Sequence, residues 1–373
     1  MVGLLDGYPR GPAYDEMFGP DGRPHPHMQA LHNALQTLTA DDLAHRAAAR
    51  DRSFEDQGVT FSHGGQEWVF PLDLIPRLIP ADEWELVEAG VIQRIRALEA
   101  FLADVYGPAE VVKDGVVRRS LLTTSAGFCR QAYGVDPPNR VRVHLAGIDL
   151  VRDQAGVIRV LEDNLRVPSG MSYVVANRWT MARVFPGLFL EQQVRPVASY
   201  PSQLLDALRS SAPAGVEEPT VVLLTPGVHN AAYFEHAYLA RKMGIELVEG
   251  RDLFCQENVL YMRSLGGRQR VDVVYRRIND DFIDPVHFRP ESVVGCAGIL
   301  NAARVGNVSI ANAIGNGVAD DKLTYTYVPE LIEYYLGERP LLPNVQTSRL
   351  DDPEVRVECL ARLDQLVVKP VEG

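Results

Sequence analysis

Cysteine is scarce in this chain. Cys129, Cys255, Cys296 and Cys359 lie far apart among 373 residues, with no CxxC pair and no Cys/His cluster. That spacing argues against a zinc site and a disulfide framework, and points to a reducing cytoplasm. Basic charge is also in deficit: 37 Lys and Arg against 49 Asp and Glu leave a net charge of −12. A nucleic-acid partner calls for a basic face, so that class of function is set aside. No apolar run approaches the ~18 residues of a membrane helix. The opening MVGLLDGYPRGPAYDEMFG lacks a charged stretch followed by a long apolar one, so no signal peptide is expected. The 30 Gly and 25 Pro are scattered, which removes collagen-like and low-complexity readings.

What is present is ordinary globular usage, 46% apolar and 23% charged. The length suits two to three domains of about 150 residues each. Apolar residues in 28–50 (Leu31, Leu35, Leu38, Leu43) predict an amphipathic helix. His25-Pro26-His27 resembles a metal motif, but Pro26 holds it extended and no third ligand is near. FPLDLIPRLIP (70–80) is too interrupted by Pro to be one helix. Asp82, with Glu85 three residues on, reads as the cap of a strong helix carrying Trp84, Val87, Val91, Ile95, Leu98 and Leu102 and ending at Gly107-Pro108.

The period then changes. VRVHLAGIDLVRD (141–153) and GVIRVLEDNLRVPSG (156–170) read as two strands joined by a short turn. A helix is expected over 173–190 and a polar link over 196–218. TVVLLTPG (220–227), a helix from about Ala231 to Met243, IELVEG (245–250) and RVDVVYRR (270–277) give a βαβ pattern, so 219–290 reads as a small α/β unit. No GxGxxG follows its first strand, so dinucleotide binding is not supported. Residues 291–373 hold a Gly/Asn-rich stretch (306–322), a helix with Tyr325, Leu331 and Tyr335, and a closing strand QLVVKP.

Within the hairpin, Asp149 stands on the first strand, and Glu162 and Asn164, two apart, share one face of the second. Two carboxylates and an amide oxygen on one face suit Mg²⁺, which takes oxygen ligands together with substrate phosphates. A solvated acidic face is the other reading. Arg276 and Arg277 end an apolar strand before Asn279, Asp280 and Asp281. Since successive residues alternate faces, at most one of them faces a ligand crevice; salt bridges to the aspartates are the alternative. In TPGVHNAAYFEH (225–236), His229, Asn230, Tyr233 and Glu235 are candidates to line a substrate pocket, while His236 reads as structural. No Ser-His-Asp or Cys-His constellation stands out, and Ser169 lacks a nucleophile elbow.

Asp149, then Glu-x-Asn, then Pro-Ser-Gly-Met-Ser (168–172) resembles the metal-binding end of ATP-grasp ligases such as D-alanine–D-alanine ligases. Here it lies upstream of the α/β unit, an order similar to the circularly permuted ATP-grasp proteins, the group that includes glutathionylspermidine synthase. The chain most resembles the bacterial type 2 group of that kind, a family long labelled a domain of unknown function. YDEMFGPDGRPHPH (14–27), FPLDLIPRLIP (70–80), AGIDLVRD (146–153), VLEDNLRVPSGMSY (160–173), LLTPGVHNAAYFEH (223–236), VDVVYRRINDDFIDP (271–285), GVADDK (317–322) and LVVKPVEG (366–373) carry the likeness across almost the whole chain.

The resemblance implies a mixed α+β and α/β fold: a circularly permuted ATP-grasp with an inserted Rossmann-like, pre-ATP-grasp domain. Its units would be an N-terminal helical region (1–120), a metal-binding lobe (121–215), the α/β domain (219–290) and an incomplete start of a second ATP-grasp lobe (291–373). It implies ATP and Mg²⁺ as cofactors and Asp149, Glu162 and Asn164 as metal ligands. Lys322 and Lys369, otherwise ordinary surface lysines, would stand against the nucleotide phosphates. A Gly-rich phosphate loop would follow Lys-Pro, with only Gly373 of it present, so the chain is expected to bind ATP poorly and turn over little or not at all. Ser169, Gly170 and Ser172 fall in the substrate loop. Many such ligases carry Arg two residues before the metal Asp; here that position is Gly147, which leaves Arg166, Arg276 and Arg277 as candidate catalytic cations.

The implied activity is ATP-dependent joining of a carboxylate and an amine through an acyl-phosphate, on small-molecule, peptide or protein substrates. Association with transglutaminase-like and α-E-type proteins is a further expectation. The alternatives are a catalytically inactive or incomplete module serving as a nucleotide- or peptide-binding scaffold, and a phosphotransferase with another acceptor. The site is expected to be cytoplasmic, with no membrane or nucleic-acid partner.

Overall fold

The computed structural model describes residues 4–63 and 66–371. Gly373, expected in the phosphate loop, lies outside the described residues. Two helices open the chain, α1 (Gln29–Gln36) and α2 (Ala40–Gln57). The single helix expected over 28–50 is therefore broken. Thr39 caps α2: its hydroxyl accepts from the Asp42 amide, and the Asp42 carboxylate accepts in return from the Thr39 amide. A short antiparallel pair, β1 (Thr60–His63) and β2 (Gln66–Val69), leads to the longest helix, α3 (Ala81–Val105). Pro80, rather than Asp82, occupies the N-cap, and the helix stops at Tyr106. Leu98, Phe101, Leu102 and Val105 of α3 are wholly buried in the main core.

After the short helices α4 (Glu110–Lys113) and α5 (Arg119–Thr124) comes the hairpin of β3 (Gly147–Arg152) and β4 (Ile158–Asn164). Both strands are shorter than the periodicity predicts, because 141–146 and 165–170 pair with other parts of the chain. The Asn312 side chain stands in for a strand partner. It accepts from the amides of His144 and Leu145 and donates to the carbonyls of Leu145 and Leu165. The expected helix over 173–190 is two, α6 (Met171–Val184) and α7 (Pro186–Gln192), broken at Pro186. The expected link over 196–218 holds a helix, α8 (Tyr200–Ser210), whose Leu204, Leu205 and Leu208 bury against the α/β core.

That core is a four-stranded parallel sheet. Its strands are β5 (Val221–Leu224), β6 (Glu246–Val248), β10 (Val273–Arg276) and β11 (Ser309–Ala311), in spatial order β11-β10-β5-β6. α9 (Tyr233–Met243) crosses from β5 to β6. Between β6 and β10 runs an antiparallel meander that the periodicity did not reveal: β7 (Leu253–Gln256), β8 (Val259–Ser264) and β9 (Gly267–Arg270). It takes the start of the expected strand 270–277. The parallel sheet continues past residue 290, since its edge strand β11 lies inside the Gly/Asn-rich stretch. The chain finishes with α10 (Asp280–Ile283), α11 (Ile299–Arg304), α12 (Lys322–Leu336) and α13 (Pro353–Ala361). The expected strand QLVVKP is no strand: residues 366–370 are exposed and pair with no strand among the described residues, and an extended segment needs such a partner to count as sheet.

Candidate active site

The hairpin geometry starts with one buried ion pair. Asp163 of β4 and Arg94 of α3 are each 1% exposed, and the guanidinium meets the carboxylate through two bonds of 2.5 and 2.7 Å. A third guanidinium bond reaches Asn344 Oδ1 at 2.8 Å. This clamp fixes Asp163 inward and therefore turns its neighbours Glu162 and Asn164 to the opposite face. A bulge at Leu161 resets the alternation, so Val160 and Asp163 can both face the core. Asp149 sits directly opposite Glu162, and Gly147 opposite Asn164. The sequence-derived trio thus shares one side of the hairpin mouth.

Two lysines complete this neighbourhood. Lys322 begins α12 and places Nζ 3.5 Å from Glu162 Oε1. Lys369 lies close enough to Asp149 to favour its ionised form. Against it, partial burial and the negative charges of Glu162 and Asp163 raise the Asp149 pKa above the ordinary carboxylate value. The face is thus a concentration of carboxylate charge with ammonium groups at its margin. Among the described residues no three His, Cys, Asp or Glu side chains cluster as a self-sufficient metal cage. Two carboxylates and an amide instead match a Mg²⁺ donor set that leaves coordination sites to phosphate oxygens. A cation held there would offset both the burial and the carboxylate repulsion that raise the Asp149 pKa.

The motif GVADDK (317–322) has a separate task for each charged residue. Asp320 accepts the backbone amides of Leu165 and Arg166, the residues that follow Asn164. Burial pushes its carboxyl up to about 6, although those amides and Arg166 favour the anion. Asp321 caps α12 by accepting from the Leu323 amide, and Lys322 then points back to Glu162. Asn316, wholly buried, donates to the carbonyls of Arg142 and Leu165. The hairpin end is therefore tied to the α/β core by Asn312, Asn316 and Asp320. The sequence signal for this was the unusual density of Asn and Asp in 306–322.

The three candidate arginines part company. Arg276 is wholly buried and does not face a crevice. It donates to the carbonyls of Asn312, Ile278 and Ala313 and pairs with Asp280 at 2.5 Å, holding the turn after β11. Arg277 is also buried, donating to Pro168 O at 2.6 Å, to Ser169 Oγ, to Tyr275 Oη at 3.2 Å and to Glu235 Oε1 at 3.2 Å. Arg166 alone keeps a partly open side chain, 38% exposed, with its buried Nε 3.2 Å from Asp320 Oδ2. Gly147, in the place of the missing arginine, is crowded: a Cβ there would stand 3.1 Å from the Pro168 Cβ.

The loop 168–172 is held from beneath by Glu235, 1% exposed on α9. Its Oε2 accepts from the amides of Gly170 (2.8 Å) and Ser172 (3.1 Å) and from the Ser172 hydroxyl (2.9 Å). Ser172 is therefore buried and bonded rather than free for a substrate, and Ser169 is engaged by Arg277. Gly170, at φ +130°, makes the turn into α6. Of the other expected pocket residues, His229 is exposed, and Asn230 accepts from the Ala232 amide at 2.9 Å. Tyr233 packs its ring edge-on near buried His236. His236 shares a hydrogen bond with Thr225 Oγ1 at 2.9 Å, and burial lowers its pKa to about 3.

Comparison with known proteins agrees with this architecture. A family profile described as a circularly permuted ATPgrasp matches residues 76–373. An uncharacterized protein of Mycobacterium tuberculosis is 57% identical over 361 residues, 97% of this chain and 66% of that protein. A putative glutamate–cysteine ligase of Frankia alni is 44% identical over 376 residues, 99% of this chain and 43% of that protein. This chain thus spans slightly less than two thirds of the mycobacterial relative and less than half of the Frankia one. The solved apo structure of a glutathione synthetase like-effector from Globodera pallida shares the fold, with a TM-score of 0.53, 13% identity, and coverage of 80% of this chain and 69% of that one.

Proposed function

The chain belongs to the circularly permuted ATP-grasp family, and we propose that it carries the metal- and phosphate-facing part of an ATP-dependent carboxylate–amine ligase. The observation that carries this reading is Asp149 directly opposite Glu162, with Lys322 3.5 Å from Glu162 and the charge of Lys369 acting on Asp149. Asp149, Glu162 and Asn164 would hold Mg²⁺, which when bound supplies positive charge to the phosphates. Lys322 and Lys369 offset the remaining triphosphate charge. A substrate carboxylate takes the γ-phosphoryl group to give an acyl-phosphate and ADP. An amine then displaces phosphate to form the amide. No enzyme nucleophile is required, and catalysis rests on positioning and charge.

Arg166 is the proposed cation for the developing acyl-phosphate charge, because its side chain is the one of the three candidates left partly open to solvent. The Frankia relative's name, a putative glutamate–cysteine ligase, supports an amino acid as the acid substrate. ADP release from Mg-ATP, assayed over paired amino-acid carboxylates and amines, tests the reading. Release that requires both partners supports the ligase. Nucleotide binding without release under any pairing favours the scaffold alternative.

A further inference from the structure

The β7–β9 meander presents a face that the ligase reading does not use. α11 packs against its inner side, where Leu253, Leu260 and Met262 are buried. The register puts Phe254, Tyr261, Arg263 and Arg268 on the outer side: Phe254 opposes Tyr261, and Arg263 opposes Arg268. The two rings stack with centroids 5.6 Å apart. Arg263 lies over Phe254 and Arg268 over Tyr261, each 4.9 Å from the ring centroid.

Like charges at opposed strand positions are unfavourable, yet among the described residues neither arginine has a carboxylate partner. Arg263 donates to the carbonyls of Arg251 (2.6 Å) and Leu253 (3.0 Å), and Arg268 to Gln256 Oε1 at 2.7 Å. Neutral oxygens thus fix both guanidiniums without neutralising them. The neighbouring Arg251 and Arg270 do have carboxylates, Glu249 and Asp272. At the β8–β9 tip, Leu265 is fully exposed beside this pair.

We propose that the outer face of the meander docks an acidic polypeptide segment that also offers an apolar side chain. Carboxylates would meet Arg263 and Arg268 through their unused donors, and Leu265 would bury against the apolar group. A polypeptide fits better than a nucleic acid. The patch holds only two uncompensated charges, too few for a backbone that carries a phosphate at every nucleotide, and its tip is apolar.

Fluorescence anisotropy of a short, labelled, glutamate-rich peptide with a central leucine, titrated with the chain at low salt, tests this. The account expects binding that added salt weakens and that a lysine-rich peptide of the same design lacks. Arg263→Gln with Arg268→Gln weakens it about tenfold, as the loss of two partly exposed ion pairs implies. Leu265→Ser weakens it further. On the unaltered chain, peptide addition slows amide exchange across 259–270, a readout that stands even if the double variant fails to fold. The proposal is overturned if a serine-rich peptide binds equally well, if the folded double variant binds unchanged, if exchange over 259–270 is unaffected, or if a single-stranded oligonucleotide binds more tightly than the peptide.

Discussion

Arg94 and Asp163 lie behind the candidate metal face, buried on the other side of β4, yet they decide which way it points. Removing the guanidinium leaves Asp163 buried without its partner. Arg94→Met should therefore cost about 3–5 kcal/mol in chemical denaturation. A cost below about 1 kcal/mol, the scale of a surface pair, would contradict the role given to the clamp. At this scale the sequence was informative about charge and silent about burial. The spacing of Asp149, Glu162 and Asn164 was enough to gather them on one face. Nothing in the pattern separated Arg276 and Arg277, both buried, from Arg166, which is not, because the burial of an arginine depends on which loops fold over it. Glu235 was visible as a pocket candidate, but its grip on 168–172 depends on a contact across 63 residues.

His236 adds a pH dependence. Its folded pKa is about 3 against an unfolded value near 6.5, so the unfolded chain binds more protons between those limits. Stability is then fully present above pH 6.5 and is lost as the pH falls toward 3. His144, lowered by burial to about 4, acts in the same direction. Thermal unfolding followed from pH 7 to 4 should show this decline, and His236→Asn should flatten it. An unchanged slope in the folded variant would contradict the neutral buried assignment.

At the scale of elements, close backbone approach sets where the GVADDK segment lies. A Cβ at Gly127 would stand 2.3 Å from the carbonyl carbon of Gly317. Gly127→Ala should therefore destabilise the fold by about 1–3 kcal/mol or more, as overpacking against rigid backbone does. It should also weaken nucleotide binding by displacing the start of α12 and Lys322. A variant as stable as the parent in urea would show that the two segments do not need this contact. The hairpin, α9 and the strands of the α/β unit were legible because their periods are regular. The helix in 196–218 was hidden by its Pro-bounded, polar flanks. β11 was hidden in a Gly/Asn-rich stretch too short to show alternation, where it counts as a strand only because β10 lies beside it. The terminal LVVKP shows the reverse: high β propensity with no strand beside it among the described residues.

On the scale of the whole molecule, the chain order brings together residues from before and after the α/β unit, Asp149 and Glu162 on one side, Lys322 and the charge of Lys369 on the other. No helix among the described residues is long and apolar enough to cross a membrane. The account stands on the hairpin face being a metal–nucleotide site. Electron paramagnetic resonance of Mn²⁺, a stand-in for Mg²⁺, titrated into the chain with ATP tests it most directly. The account predicts a bound-Mn²⁺ signal that grows with ATP and falls at least about tenfold in affinity in Asp149→Asn and in Glu162→Gln, the loss of one charged ligand being worth more than 1.4 kcal/mol. Mn-ATP binding that is unchanged in both folded variants would contradict it.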